Sequence, residues 1–194
     1  FGDWEKAARI EKLRKSKDAE ITGNEIEASE DLKEYRKNAL EYGKTLRGEY
    51  VNKDTGEAIV INKDSLTEVL HHDGSNIAHI QSVAAIPQMV ESGIYITSEP
   101  ISETASKKMR NAKMAHYYVC GLKIGDIPYT VKFVVAEFES GEKYYDHSLT
   151  EIEKGELLNR AELSSTVADS KSPISDIKDK RLVSILQTNS SKIV

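Results

Sequence analysis

Residues 143–154 read KYYDHSLTEIEK. Tyrosine-rich alternation marks the first half as a strand, with Tyr145 and His147 on one face and Asp146 and Ser148 on the other. Thr150 follows where that strand is expected to end. Upstream, IPYTVKFVVAEF (127–138) and AHYYVCGLKI (115–124) also alternate with period two. Only Gly125-Asp126 and Glu139–Glu142 separate the three runs. Connections this short require an antiparallel meander.

Before the meander the apolar spacing is helical. Ala7, Ala8, Ile10 and Leu13 recur among charges in residues 4–17. Asp31 is placed to cap DLKEYRKNALEYGKTL, where Leu32, Tyr35, Ala39, Tyr42 and Leu46 recur at three- and four-residue steps and Gly43 weakens the end. GEYVNKDTGEAIVI reads as a hairpin near 49–61 turning at Lys53–Gly56. Its Asp54-Thr55-Gly56 lacks the apolar flanks of an aspartic-protease loop and is a polar turn. Ser65-Leu66-Thr67-Glu68 is a capping box for a helix through His72. IAHIQSVAA and PQMVES form a further helical stretch, with Pro87 suited to a first turn and Gly93 as the stop. IYIT is a strand, and 98–113 a loop. Helices first and sheet second predict an α+β fold: N-terminal helices packed on a small antiparallel meander. The expected boundaries are an N-terminal helix and linker over 1–18, a core over 19–158, and a Ser-rich linker with a short helix, KRLVSILQ, over 159–194.

The chain has 194 residues, 39% hydrophobic and 30% charged, with a net charge of −5. That describes a globular protein with a substantial core. No apolar run approaches the roughly 18 residues of a membrane helix, and the start, FGDWEKAARIEKLRKSK, has no signal-peptide core. A cytoplasmic location is compatible with a single cysteine, Cys120, which excludes an internal disulfide and reads as a small buried hydrophobe. The negative total argues against coating nucleic acid by bulk attraction. ASKKMRNAKM (105–114) nevertheless concentrates Lys107, Lys108, Arg110 and Lys113, a patch suited to RNA or DNA.

Chemistry is limited by what is missing. No HExxH or Cys/His spacing organises the five histidines for a metal, and no cofactor motif is present. No GxSxG elbow or P-loop supports a serine hydrolase or nucleotide hydrolase. Tyr117, Tyr118, Tyr144 and Tyr145 suit base stacking in a single-strand binder, but tyrosines in strands more often simply build sheet. Lys132 is the odd member of an apolar row, and it lies at a distance from the Glu139–Glu142 turn comparable with that of Thr150. With a helix-borne histidine over the same sheet end, these residues would suit metal-free RNA cleavage: imidazole for proton transfer, ammonium for phosphorane charge, hydroxyl for a phosphate oxygen. A snorkelling lysine and solvated edge residues are the structural alternative.

HHDGSNIAHIQSVAAIPQMVE, YYVCGLKIGDIPYTVK and KYYDHSLTEIEKGEL together resemble the large polyvalent protein-associated domain of the third type, over roughly residues 20–190. Such domains occur in long multi-domain proteins of phages and conjugative elements, and FGDWE resembles the KWFGDWE segment that often precedes domains in them. A piece of a longer polypeptide, with its other domains as partners, is the expectation. The layout is also similar to the barnase–EndoU–colicin–RelE nuclease class. That resemblance implies His72 or His79, Lys132, and Thr150 with His147 as site residues, with His79 or His147 as acid/base. The module it implies is nuclease-like, a metal-independent endoribonuclease. The alternative is a non-catalytic accessory domain that binds nucleic acid or protein.

Overall fold

A computed structural model describes residues 2–66, 77–101 and 111–157. Helix α1 (Gly2–Lys15) is followed by strand β1 (Ala19–Ile21), α2 (Leu32–Lys44), and the hairpin β2 (Gly48–Val51) and β3 (Ala58–Ile61). Next come α3 (Ile77–Gln81), a 3-10 turn (Ser82–Ala85), α4 (Ile86–Ser92) and β4 (Ile94–Pro100). Three long strands close the described chain: β5 (Ala112–Ile124), β6 (Ile127–Phe138) and β7 (Lys143–Lys154). The fold class is α+β. The expected helix through His72 falls almost wholly outside the described residues, as do the expected linker and helix of 159–194.

Local sequence explains most of these elements. Asp31 caps α2 by accepting from the Lys33 amide at 3.0 Å, and Tyr35, Ala39 and Gly43 form its buried stripe at four-residue steps. Gly43 has a packing role there, because a Cβ would overlap the side chain of Leu66. Pro87 sits in the first turn of α4, where its missing amide proton has no intrahelical partner to lose. The Asp54–Gly56 turn is organised by Asn52, which is fully buried. Its Nδ2 donates to the carbonyls of Val90 and Gly93 at 2.7 and 2.8 Å. Its Oδ1 accepts from the amides of Asp54 and Thr55.

The meander β5–β6–β7 is antiparallel as its short turns require. The full sheet is mixed, in the order β1-β5-β6-β7-β3-β2, with β4 also paired to β5. β1 and β4 occupy successive stretches of one edge of β5, Leu122–Ile124 and Met114–Val119 respectively. β1 runs parallel to β5 and β3 parallel to β7. The three-residue β1 gives too short an alternation to stand out in a polar segment.

Period-two alternation separates two apolar clusters across the sheet. Val131, Phe133 and Val135 face the helices and join Tyr118, Tyr145, Ile80, Val83 and Met89 in the main core. Val134 and Ala136 face the other way, with Ala112, Ala115, Tyr117 and Phe138. Tyr118 stacks on Phe133 at 5.1 Å between centroids, and Phe133 meets Tyr145 at 5.7 Å. A row of rings therefore crosses β5, β6 and β7 beneath the helices.

Gly93 is where the helices come closest to this row. A Cβ there would stand 2.5 Å from Phe133 Cζ and 2.9 Å from the Met89 carbonyl oxygen. Gly93→Ala should therefore destabilise the domain by about 2 kcal/mol through overpacking. Urea unfolding checks this: the midpoint falls while the slope is unchanged.

Candidate functional site

Asp-His-Ser at 146–148 breaks the ladder between β6 and β7. Asp146 Oδ1 accepts from the Ser148 amide at 3.0 Å and from its hydroxyl at 2.6 Å, a local turn that competes with strand pairing. Register runs regularly from Glu137↔Lys143 to Val134↔Asp146 and resumes at Lys132↔Glu151. Phe133 alone thus stands opposite His147–Thr150. Within this bulge the His147 amide donates to the Ser65 carbonyl at 2.9 Å.

The bulge turns His147 and Thr150 to the same side, under α3. His79 Nε2 lies 3.0 Å from the His147 carbonyl oxygen, and His147 Nε2 lies 3.0 Å from the His79 carbonyl oxygen. A carbonyl only accepts, so both Nε2 atoms carry protons. The rings pack at 4.2 Å between centroids. With Nε2 protonated, neutral His147 offers a lone pair at Nδ1, and the Tyr145 hydroxyl donates to it at 2.6 Å. Tyr145 in turn lies 2.8 Å from Thr150 Oγ1, which also reaches the Asp146 carbonyl at 3.2 Å. Ser82 donates to the His79 carbonyl at 2.6 Å and stands 3.3 Å from His147 Nε2. Burial holds the Tyr145 phenol well above its ordinary pKa, against a smaller opposing effect of the Thr150 hydrogen bond.

Three of the four candidate catalytic side chains therefore meet: His79, His147 and Thr150. They are 7%, 0% and 3% exposed. Lys132 does not join them. Its backbone pairs with Glu151, next to Thr150, but its side chain lies on the outer face. There Nζ is 3.6 Å from Glu151 Oε2 and 5.4 Å from the centre of the Tyr117 ring. The Tyr117 hydroxyl donates to Glu99, and burial followed by that contact raises its pKa strongly.

A protein-family model, large polyvalent protein-associated domain 3, matches residues 30–145. The chain belongs to this family. The match covers more than half of the sequence and takes in α2 through the start of β7. No curated protein and no solved structure gives a significant match.

The other expected site residues of this polyvalent protein-associated domain divide by position. His72, Lys107, Lys108 and Arg110 lie outside the described residues. Lys113 is exposed on β5, with Nζ 3.8 Å from Glu137 Oε1. Among the described residues no cluster of three His, Cys, Asp or Glu is arranged for a metal, and no helix is long and apolar enough to cross a membrane. Cys120 is buried, which pushes its thiol pKa far up and leaves it unreactive. On the outer face a cleft of about 540 Å³ is lined by Asn62, Ala136, Phe138, Glu142, Tyr144 and Asp146, among others.

Two members of the buried cluster were not among the expected site residues. Ser82 lies three residues after His79 and so shares its helical face. Tyr145 lies two before His147 and so shares its strand face. His147→Ala should lower the unfolding free energy by about 3 kcal/mol, through a cavity and the loss of its buried hydrogen bonds to Tyr145 and the His79 carbonyl. Lys132→Ala should change it by less than about 1 kcal/mol, as expected for a partly exposed ion pair. Denaturant unfolding of both variants checks the contrast, and equal effects would remove the buried cluster's structural role.

Proposed function

We propose that this domain is an accessory binding module of a longer multi-domain polypeptide, and that its buried imidazoles fasten helices to sheet instead of cutting RNA. The observation that carries this reading is the sealing of His147. It has no exposed surface, and both ring nitrogens are engaged by Tyr145 and the His79 carbonyl. A general base must reach the proton it takes, and a phosphate cannot approach these rings without opening the core. Lys132, the cation such a reaction would need, is on the opposite face and beside a carboxylate.

Binding, on this reading, uses the outer face. Its cleft combines an apolar and aromatic floor, Ala136, Phe138 and Tyr144, with the carboxylates of Glu142 and Asp146. Carboxylates repel phosphates and favour cationic groups. The matching partner is thus a polypeptide segment with apolar and basic side chains, such as one from another domain of the same polypeptide. The basic run 105–114 would add affinity for a polyanion that weakens with salt.

The second reading, a metal-independent endoribonuclease, draws on the meeting of His79, His147 and Thr150 from separated segments. Incubation with structured RNA in EDTA separates the two. The accessory reading predicts no cleavage above a no-protein control, and fluorescence anisotropy should detect binding of a labelled Lys/Leu-rich peptide. Ala136→Arg, which fills the cleft, should weaken that binding at least about 10-fold, or ~1.4 kcal/mol. RNA cleavage by the wild type that disappears in Lys132→Ala and His79→Gln would overturn the accessory reading in favour of the nuclease.

A further inference from the structure

A second histidine centre lies on the helix-facing side of the sheet, beyond the row of rings. Ser98 on β4, His116 on β5 and Glu137 on β6 occupy neighbouring positions across three adjacent strands. Ser98 Oγ is 2.5 Å from His116 Nδ1, and His116 Nε2 is 2.8 Å from Glu137 Oε2. The Tyr95 hydroxyl lies 2.5 Å from Ser98 Oγ. His116 and Glu137 keep 15% and 17% of their side-chain surface in solvent, so this centre is reachable where the buried one is not.

Proton accounting gives the group a direction. The hydrogen bond from His116 holds the Glu137 carboxyl below its ordinary pKa, with Lys143 and Lys113 adding to the effect. Glu137 is then an acceptor, and His116 must place its proton on Nε2. In the neutral imidazole Nδ1 is left with a lone pair toward Ser98; the serine hydroxyl then donates to the ring and Tyr95 donates to the serine oxygen. That is the resting state of a nucleophile–base–carboxylate relay, which is recognised by geometry and roles rather than by a sequence motif. No elbow motif is needed, because adjacent strands supply the three side chains.

We propose that Ser98, His116 and Glu137 form an acyl-transfer centre acting on small carboxylic esters, with Ser98 the nucleophile, His116 the base and Glu137 the positioning residue. Ser98 Oγ bonds to the ester carbonyl carbon while its proton passes to His116 Nδ1, and the C=O electron pair moves onto oxygen. Glu137 stabilises the imidazolium. The Tyr95 hydroxyl, 2.5 Å from Ser98 Oγ, is released from the serine oxygen and donates to the oxyanion. Collapse restores the carbonyl and breaks the bond to the leaving alkoxide, which takes the proton from His116. Water then repeats the sequence on acyl-Ser98, releasing the carboxylic acid and returning the proton to Ser98.

This inference is independent of the outer-face binding reading and of the buried imidazoles, so either can fail without the other. The test uses the full chain with a fluorophosphonate probe, in which Ser98 Oγ displaces fluoride from phosphorus, and with p-nitrophenyl acetate. Intact-mass and peptide mapping should place one adduct on Ser98, absent in Ser98→Ala. His116→Gln should slow labelling at least about 10-fold. Glu137→Gln should slow it and Glu137→Asp should recover part of the loss, because the imidazolium formed during transfer then faces an anion again. Circular dichroism confirms that each variant is folded, and Tyr95→Phe provides a further variant that retains the relay. No adduct, an adduct elsewhere, or labelling unchanged in both His116→Gln and Glu137→Gln would overturn the proposal.

Discussion

The reciprocal hydrogen bonds between His79 and His147 join two layers that the chain brings together across 68 residues. Each ring donates to the other residue's backbone carbonyl, so neither can turn without breaking a buried hydrogen bond between the layers. A neutral hydrogen bond adds only about 1 kcal/mol net, but an unmade buried one costs about 1–3 kcal/mol. The pair therefore acts chiefly on specificity. It fixes where α3 sits above β7, and Tyr145, Ser82 and Thr150 then complete the surrounding hydrogen bonds.

That arrangement depends on the bulge. In a regular strand, His147 and Thr150 are three apart and point to opposite faces, which would leave Thr150 on the side of Lys132. The Asp146–Ser148 turn adds residues to β7 but not to β6, and Thr150 swings into the core. Ile152 then packs against the main core while Glu151 meets Lys132 outside. One local competition between side chain and backbone thus decides which hydroxyl accompanies which charge. It also separates the imidazoles from the ammonium that RNA cleavage would require.

How much of this was legible follows from the range of the signals. Strong alternation in 127–138 and short turns at 125–126 and 139–142 made the meander readable, as Asp31 and Pro87 did for the helix starts. The two-sided character of β6 was readable because a single strand carries it. The parallel pairings of β1 and β3 were not, because they join segments far apart in sequence through three-residue or single-position registers. Lys132 and Thr150 were expected to be neighbours from their distances to the turn, and their backbones nearly are. Their side chains part because a bulge reverses alternation, which period-two counting cannot register. Ser98, His116 and Glu137 come from three strands whose relative register is not written in any one of them.

The two histidine centres show how the partner atom determines what an imidazole can do. His147 Nε2 faces a carbonyl oxygen inside a closed core, an acceptor with no net charge to stabilise an imidazolium. His116 Nε2 faces a carboxylate at 2.8 Å near the surface, so a proton arriving at Nδ1 meets a compensating anion across the ring. The same fold thus uses one histidine pair as a fixed joint between layers, and places another histidine where proton transfer is electrostatically supported.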